Sequence, residues 1–202
     1  MSPSAHLVIL AAAASLGGCA GYDNITSDVS SYGTWPPSRQ PGTYAFERLP
    51  SQQGHPDQQA QLEDAARGAL ARAGFTPAQD AQNADVTVQV GARVTRYDMP
   101  PWNDPLWWHG GPYGYRPWRG PYWGAGWGYW GYWGYSYTAY DREVALMLRD
   151  RLTGQPLYET RAASQGNYSG GPAVLSAMFD AALQDFPHVA LSPRRVSVPV
   201  AQ

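Results

Sequence analysis

Three groups of residues in this 202-residue chain have side chains able to do chemistry. Asp141 and Glu143 lie two apart in a stretch that alternates as a strand, so both stand on one strand face. Two carboxyls divide acid and base roles only when their environments differ at a defined separation. Here they flank Arg142 at the start of what reads as an edge, where solvated charges discourage strand-to-strand association. Ser169-Gly170-Gly171 opens the last expected helix. Free N–H groups at such a start attract anions, and Ser is equally a favoured N-cap. The four histidines, His6, His55, His109 and His188, show no HExxH or HxH spacing and so no metal-ligand set. The sequence also lacks GxSxG, and no dinucleotide fingerprint follows a strand. All fourteen basic residues are Arg, which excludes a lysine Schiff base and a Walker lysine. The expectation is a non-enzymatic chain with no catalytic residue, metal or cofactor.

Two features carry more. The single cysteine, Cys19, excludes an intrachain disulfide. It follows the ten-residue apolar run LVILAAAASL (7–16), too short to span a bilayer and suited to a signal-peptide core. The order Leu16-Gly17-Gly18-Cys19 resembles a bacterial lipobox. Residues 1–18 are therefore expected to be a lipoprotein signal peptide, with Cys19 the site of lipidation. Each buried acyl CH₂ would contribute roughly 0.8 kcal/mol to anchoring. Ala20 after the cysteine, where Asp would retain the protein, implies the periplasmic side of the outer membrane. A net charge of −2 implies no nucleic-acid partner.

The second feature is WGAGWGYWGYWGYSY, residues 123–137. Trp123, Trp127, Tyr129, Trp130, Tyr132, Trp133 and Tyr135 form the candidate binding surface. Such rings stack on sugars and prolines and favour lipid headgroup interfaces. The run has no Arg or Lys to meet phosphate, and glycine at about every third position opposes helix. Residues 102–137 hold eight of the nine tryptophans and only three charges, Asp104, Arg116 and Arg119. An insert of this kind, placed at 97–138, is either functional or disordered. It would serve as an aromatic arm for another envelope protein, or as a stacking platform for a glycan or peptidoglycan.

The surrounding elements must position these features. Residues 19–41 lack apolar periodicity and read as a flexible tether spanning about 25 Å. TYAF (43–46) begins a first strand. Leu62, Ala66, Ala69, Leu70 and Ala73 form one helical stripe, closed by Gly74 and Pro77. Val86, Val88, Val90, Ala92 and Val94 alternate in a second strand, and Val144, Leu146 and Leu148 in a third. DRLTGQ (150–155) turns a hairpin into a return strand from Leu157, and 173–186 is helical in spacing. The expected fold is α+β in the order β-α-β-β-β-α. It has a small, mostly antiparallel sheet of about four strands, two helices on one face, and the aromatic insert. The domain occupies 42–187, followed by a tail at 188–202.

These landmarks together resemble the DUF4136 family of bacterial lipoproteins. They are the cysteine-anchored start, TYAF, ARAGF, ADVTVQV, the Trp/Tyr/Gly insert, EVALMLRDRLTGQPLYETRA and the closing QDFP. Gln155 and Pro156 replace the basic residue usual after the TG turn, so no role for that base is carried over. The resemblance implies a fold and an envelope address, and no activity.

Overall fold

A computed structural model describes residues 24–99, 137–167, 169–190 and 192–201. The expected signal peptide, Cys19 and all seven candidate aromatic residues lie outside these. Strands β1 (Asn24–Gly33), β2 (Thr43–Phe46), β3 (Thr76–Pro77), β4 (Val86–Met99), β5 (Tyr137–Asp150), β6 (Pro156–Gly166) and β7 (Arg194–Pro199) form one sheet. Its order is β3-β2-β4-β5-β6-β1-β7. The helices are α1 (Pro50–Gln53), α2 (Pro56–Arg72) and α3 (Pro172–Leu183).

The sheet corrects the expectation of about four mostly antiparallel strands. It has seven, and it is mixed, because β2 pairs in parallel with both β3 and β4. Two added strands fall where a tether and a tail were expected: β1 pairs antiparallel with β6 on one side and with β7 on the other. The inward residues of β1 are Ile25, Ser27, Val29 and Ser31. Alternate serines erase the apolar period while still fitting a close-packed interior.

The inward faces of the long strands carry the expected aliphatics. Val86, Val88 and Val90 stand beside Val144, Leu146 and Leu148, in the register Val88↔Leu148 and Val90↔Leu146. Against them lie Ala66, Ala69 and Leu70 of α2 and Ala177, Met178, Phe179 and Ala182 of α3, all in one core. Thr160, fully buried on β6, donates its hydroxyl to the Ala182 carbonyl at 2.8 Å, fixing the end of α3 to the sheet. Gly74, at φ 92°, ends α2 in a conformation that side chains resist.

The strand directions define two poles. At one end β5 turns into β6 around Leu152, β1 finishes at Gly33, and an aromatic cluster closes the core. Trp35 packs edge-on to Phe75 and Phe186 at 5.6 and 4.8 Å, and Tyr158 meets Phe186 at 5.1 Å. At the other end β1 begins at Asn24, β6 finishes at Gly166 and α3 starts at Pro172. There too β4 and β5 run on as a two-stranded arm to the pair Met99↔Tyr137, from which the aromatic insert departs.

Candidate functional site

The Asn24 pole holds a cation inside the inward sheet face. Arg142 of β5 shares the parity of Val144, Leu146 and Leu148, and is only 4% exposed. Its register partners are Val94 on β4 and Ser164 on β6. Nη2 donates to Ser164 Oγ at 3.4 Å, and Ser164 Oγ donates to the Thr26 carbonyl at 2.8 Å. Burial pushes the guanidinium pKa down from its ordinary value. Arginine nevertheless keeps its charge, having no accessible neutral form.

Two glycines make room for that side chain. A Cβ at Gly166 would stand 2.6 Å from Arg142 Nη2. Gly170, at φ 86°, lies so that a Cβ would touch Arg142 Cδ and Val94 Cγ2 at 3.4 Å. Helix α3 follows directly, with Gly171 as N-cap, no side-chain cap and Pro172 at its first turn. The serine expected to cap this helix, Ser169, is therefore displaced two residues upstream. Arg142, Ser164, Gly166, Asn167, Ser169 and Gly171 line a cavity of about 620 Å³ with the start of β1. The aliphatic stripe of β4 continues past the helices here, leaving Val94 41% exposed.

Asp141 and Glu143 lie on the opposite, solvated sheet face, together as expected from their spacing. Their strand is central, not an edge, since β5 is flanked by β4 and β6. Glu143 accepts from Arg93 at 3.1 Å, and Asp28 faces Arg195 at 3.5 Å farther across the same face. Opposite charges thus pair across neighbouring strands, which fits a hydrated surface better than an acid–base pair.

His55 is the N-cap residue of α2, and the exposed His188 holds Nδ1 3.1 Å from the Asp185 carbonyl. No group of three His, Cys, Asp or Glu able to hold a metal occurs among the described residues. A second concavity, of about 640 Å³, lies between α1, α2, the exposed end of β4 and the start of α3. Gln52, Gln58, Gln59, Gln61, Ala92 and Val94 line it, and no Arg, Asp or Glu does among the described residues. Gln52 is held there, with Oε1 accepting from the Leu49 N–H and Nε2 donating to the Val90 carbonyl, both at 2.8 Å.

Sequence reasoning missed Arg142 and the glutamine groove. The signal for Arg142 was its parity, a charge on the apolar side of an alternating strand. The groove had none, because its residues come from four separate elements, α1, α2, β4 and the start of α3.

No protein of curated function matches the chain by sequence. Among solved structures, a PDZ domain protein from Parabacteroides distasonis is similar at 10% identity and a TM-score of 0.47. The likeness covers 86% of this chain but 38% of that one, so this chain spans well under half of that relative's length. The PelC dodecamer from Paraburkholderia phytofirmans is similar at 15% identity and a TM-score of 0.39, over 78% and 95% of the two chains. A DUF4136 family protein from Bacteroides thetaiotaomicron has 16% identity and a TM-score of 0.23, over 79% and 94%. The profile of DUF4136, a domain of unknown function, matches residues 28–188, most of the sequence, and the chain therefore belongs to the DUF4136 family.

Proposed function

We propose that this protein is a lipid-anchored module of the bacterial cell envelope. It faces the periplasm from the outer membrane and acts by binding rather than catalysis. The observation that carries the reading is the lone cysteine at the end of LVILAAAASLGGC, a signal core followed at once by an acylation site. Among the described residues no helix is long and apolar enough to cross a membrane, and acyl chains on Cys19 would supply attachment. In the producing cell, Cys19→Ser should leave an uncleaved precursor that takes up no labelled palmitate. Lipid incorporation by that variant would end the proposal.

A second reading, glycan or peptidoglycan binding, is favoured by the glutamine-lined groove. Neutral amides above an aliphatic floor of Ala92 and Val94 suit a polyhydroxylated ligand with an apolar face. The aromatic residues 123–135 would add stacking surface. Co-sedimentation with peptidoglycan, with and without residues 102–137, tests it. Loss of sedimentation on deletion supports the stacking platform; no sedimentation by either form rejects this second reading.

A further inference from the structure

The geometry points to the chemical group that the glutamine groove takes: the acetamido substituent of an N-acetylated amino sugar. This assignment rests on the glycan binding proposed above and names the part of the sugar that is recognised. It starts from one backbone oxygen. The Val90 carbonyl lies just past Val88, the last residue of β4 that pairs with β2. It accepts from Gln52 Nε2 at 2.8 Å and from Gln59 Nε2 at 3.5 Å. Two side-chain amides, one from α1 and one from α2, therefore stand side by side in the groove wall. Gln52 is held at both ends of its amide, since Oε1 accepts from the Leu49 N–H. Gln59 is only 6% exposed, so packing holds it in place.

The unused hydrogen-bonding capacity of these amides selects the ligand. A primary amide carries two N–H donors and one carbonyl acceptor. Among the described residues, one N–H of Gln52 and the Oε1 of Gln59 meet no partner. A donor beside an acceptor, both on neutral groups, matches a ligand amide. Its N–H donates to Gln59 Oε1, and its carbonyl accepts from Gln52 Nε2. Leu62, Ala92, Val94 and Leu175 provide aliphatic surface nearby for a methyl group. With no Arg, Asp or Glu in its lining among the described residues, the groove suits a neutral group. No Trp, Tyr or Phe lines it either, so a bare sugar ring finds no stacking partner there. A neutral amide that ends in a methyl is an acetamido group. Peptides also offer amides, but a strand added to β4 needs the Val90 oxygen, which already holds two glutamines.

The test titrates the full chain by calorimetry with triacetylchitotriose, with its deacetylated form, and with cellotriose, which has hydroxyls in place of the acetamido groups. The acetylated sugar should bind about tenfold or more tighter than either analogue, because each leaves the amide pair unmatched. Gln59→Leu keeps the volume and removes the acceptor, and should weaken that binding by about tenfold. Val94→Glu sits at an exposed position, so the core is untouched, and should weaken it similarly by placing a charge on the aliphatic floor. Equal affinity for cellotriose, or undiminished binding by Val94→Glu or by a folded Gln59→Leu, overturns the acetamido assignment and leaves glycan binding standing. Tighter binding of acetyl-trialanine amide than of triacetylchitotriose gives the groove to peptides and overturns it as well. Peptidoglycan sedimentation reads the parent proposal separately. If sedimentation persists while no soluble sugar binds, the acetamido assignment alone falls; if sedimentation is absent too, both fall.

Discussion

The indole of Trp35 meets the ring of Phe186 edge-on at a centroid distance of 4.8 Å, joining the segment after β1 to the turn after α3. Trp35 Nε1 donates to the Arg39 carbonyl at 2.8 Å, and the Arg39 guanidinium lies 5.4 Å from the indole centroid. Residues that lack any apolar period are therefore pinned by one side chain, itself only 8% exposed.

Trp35→Ala should cost about 3–5 kcal/mol, the usual loss when a large ring leaves a packed core. The vacated space would lie against the rings of Phe75 and Phe186. Urea unfolding followed by far-ultraviolet circular dichroism measures it. A loss under 1 kcal/mol would mean that residues 34–42 behave as a loose tether after all.

Gly166 and Gly91 form a matched pair of strand glycines, neither with a positive φ. A Cβ at 166 meets the buried Arg142 guanidinium at 2.6 Å, whereas one at 91 meets nothing within 4 Å. Gly166→Ala should therefore destabilise by about 1–3 kcal/mol through overpacking. Gly91→Ala should be neutral or stabilise by up to about 1 kcal/mol through lost freedom of the unfolded chain. Equal effects in urea melts would show that Arg142 moves aside freely.

These contacts show which parts of the fold were readable beforehand. The valines of β4 and the aliphatics of β5 announce themselves because nearly every inward position is apolar. In β1 the inward set mixes Ile25 and Val29 with Ser27 and Ser31, and β7 opens on Arg194 and Arg195 with only Val196 buried. β1 owes its place to pairing with β6 and β7, and β7 to pairing with β1, long-range relations that leave no local period. The two residues of β3 are too few to show any period. At the Asn24 pole, Arg142 was masked by its carboxylate neighbours, Asp141 and Glu143, which drew attention to the face that proves to be hydrated. What the aromatic run touches was never a local property of its sequence.

Replacing residues 100–136 by Asn-Gly should leave a folded domain. Met99 and Tyr137 already face each other across the ladder, the arrangement a two-residue hairpin turn closes. Shortening the connection from 37 residues to two lowers the loop-closure cost by roughly 2.5 kcal/mol at most, at about 0.6 kcal/mol per doubling. The urea midpoint should hold or rise, with a single cooperative transition. Loss of cooperativity would mean that the segment supplies part of the core. The same variant then serves as the aromatic-free control for peptidoglycan sedimentation.

Acid should loosen the Leu152 pole first. Arg39 and the Thr153 N–H and hydroxyl hold Asp150 well below the usual carboxylate range, and the Thr43 N–H and hydroxyl lower Asp85. Arg39 Nη1 reaches Asp150 Oδ2 at 2.7 Å, and Thr43 N reaches Asp85 Oδ2 at 2.6 Å. A carboxyl whose folded pKa lies below its unfolded value near 3.9 stabilises the fold at every pH above that value. The contribution fades as pH falls from about 4 toward the depressed folded pKa. Asp150→Asn keeps the shape of the turn but removes this charge. It should melt several degrees lower than the native protein at pH 7, and the gap should shrink at pH 2.5. A gap that stays constant with pH would assign the effect to turn geometry, and the Arg39–Asp150 pair would then have no part in acid stability.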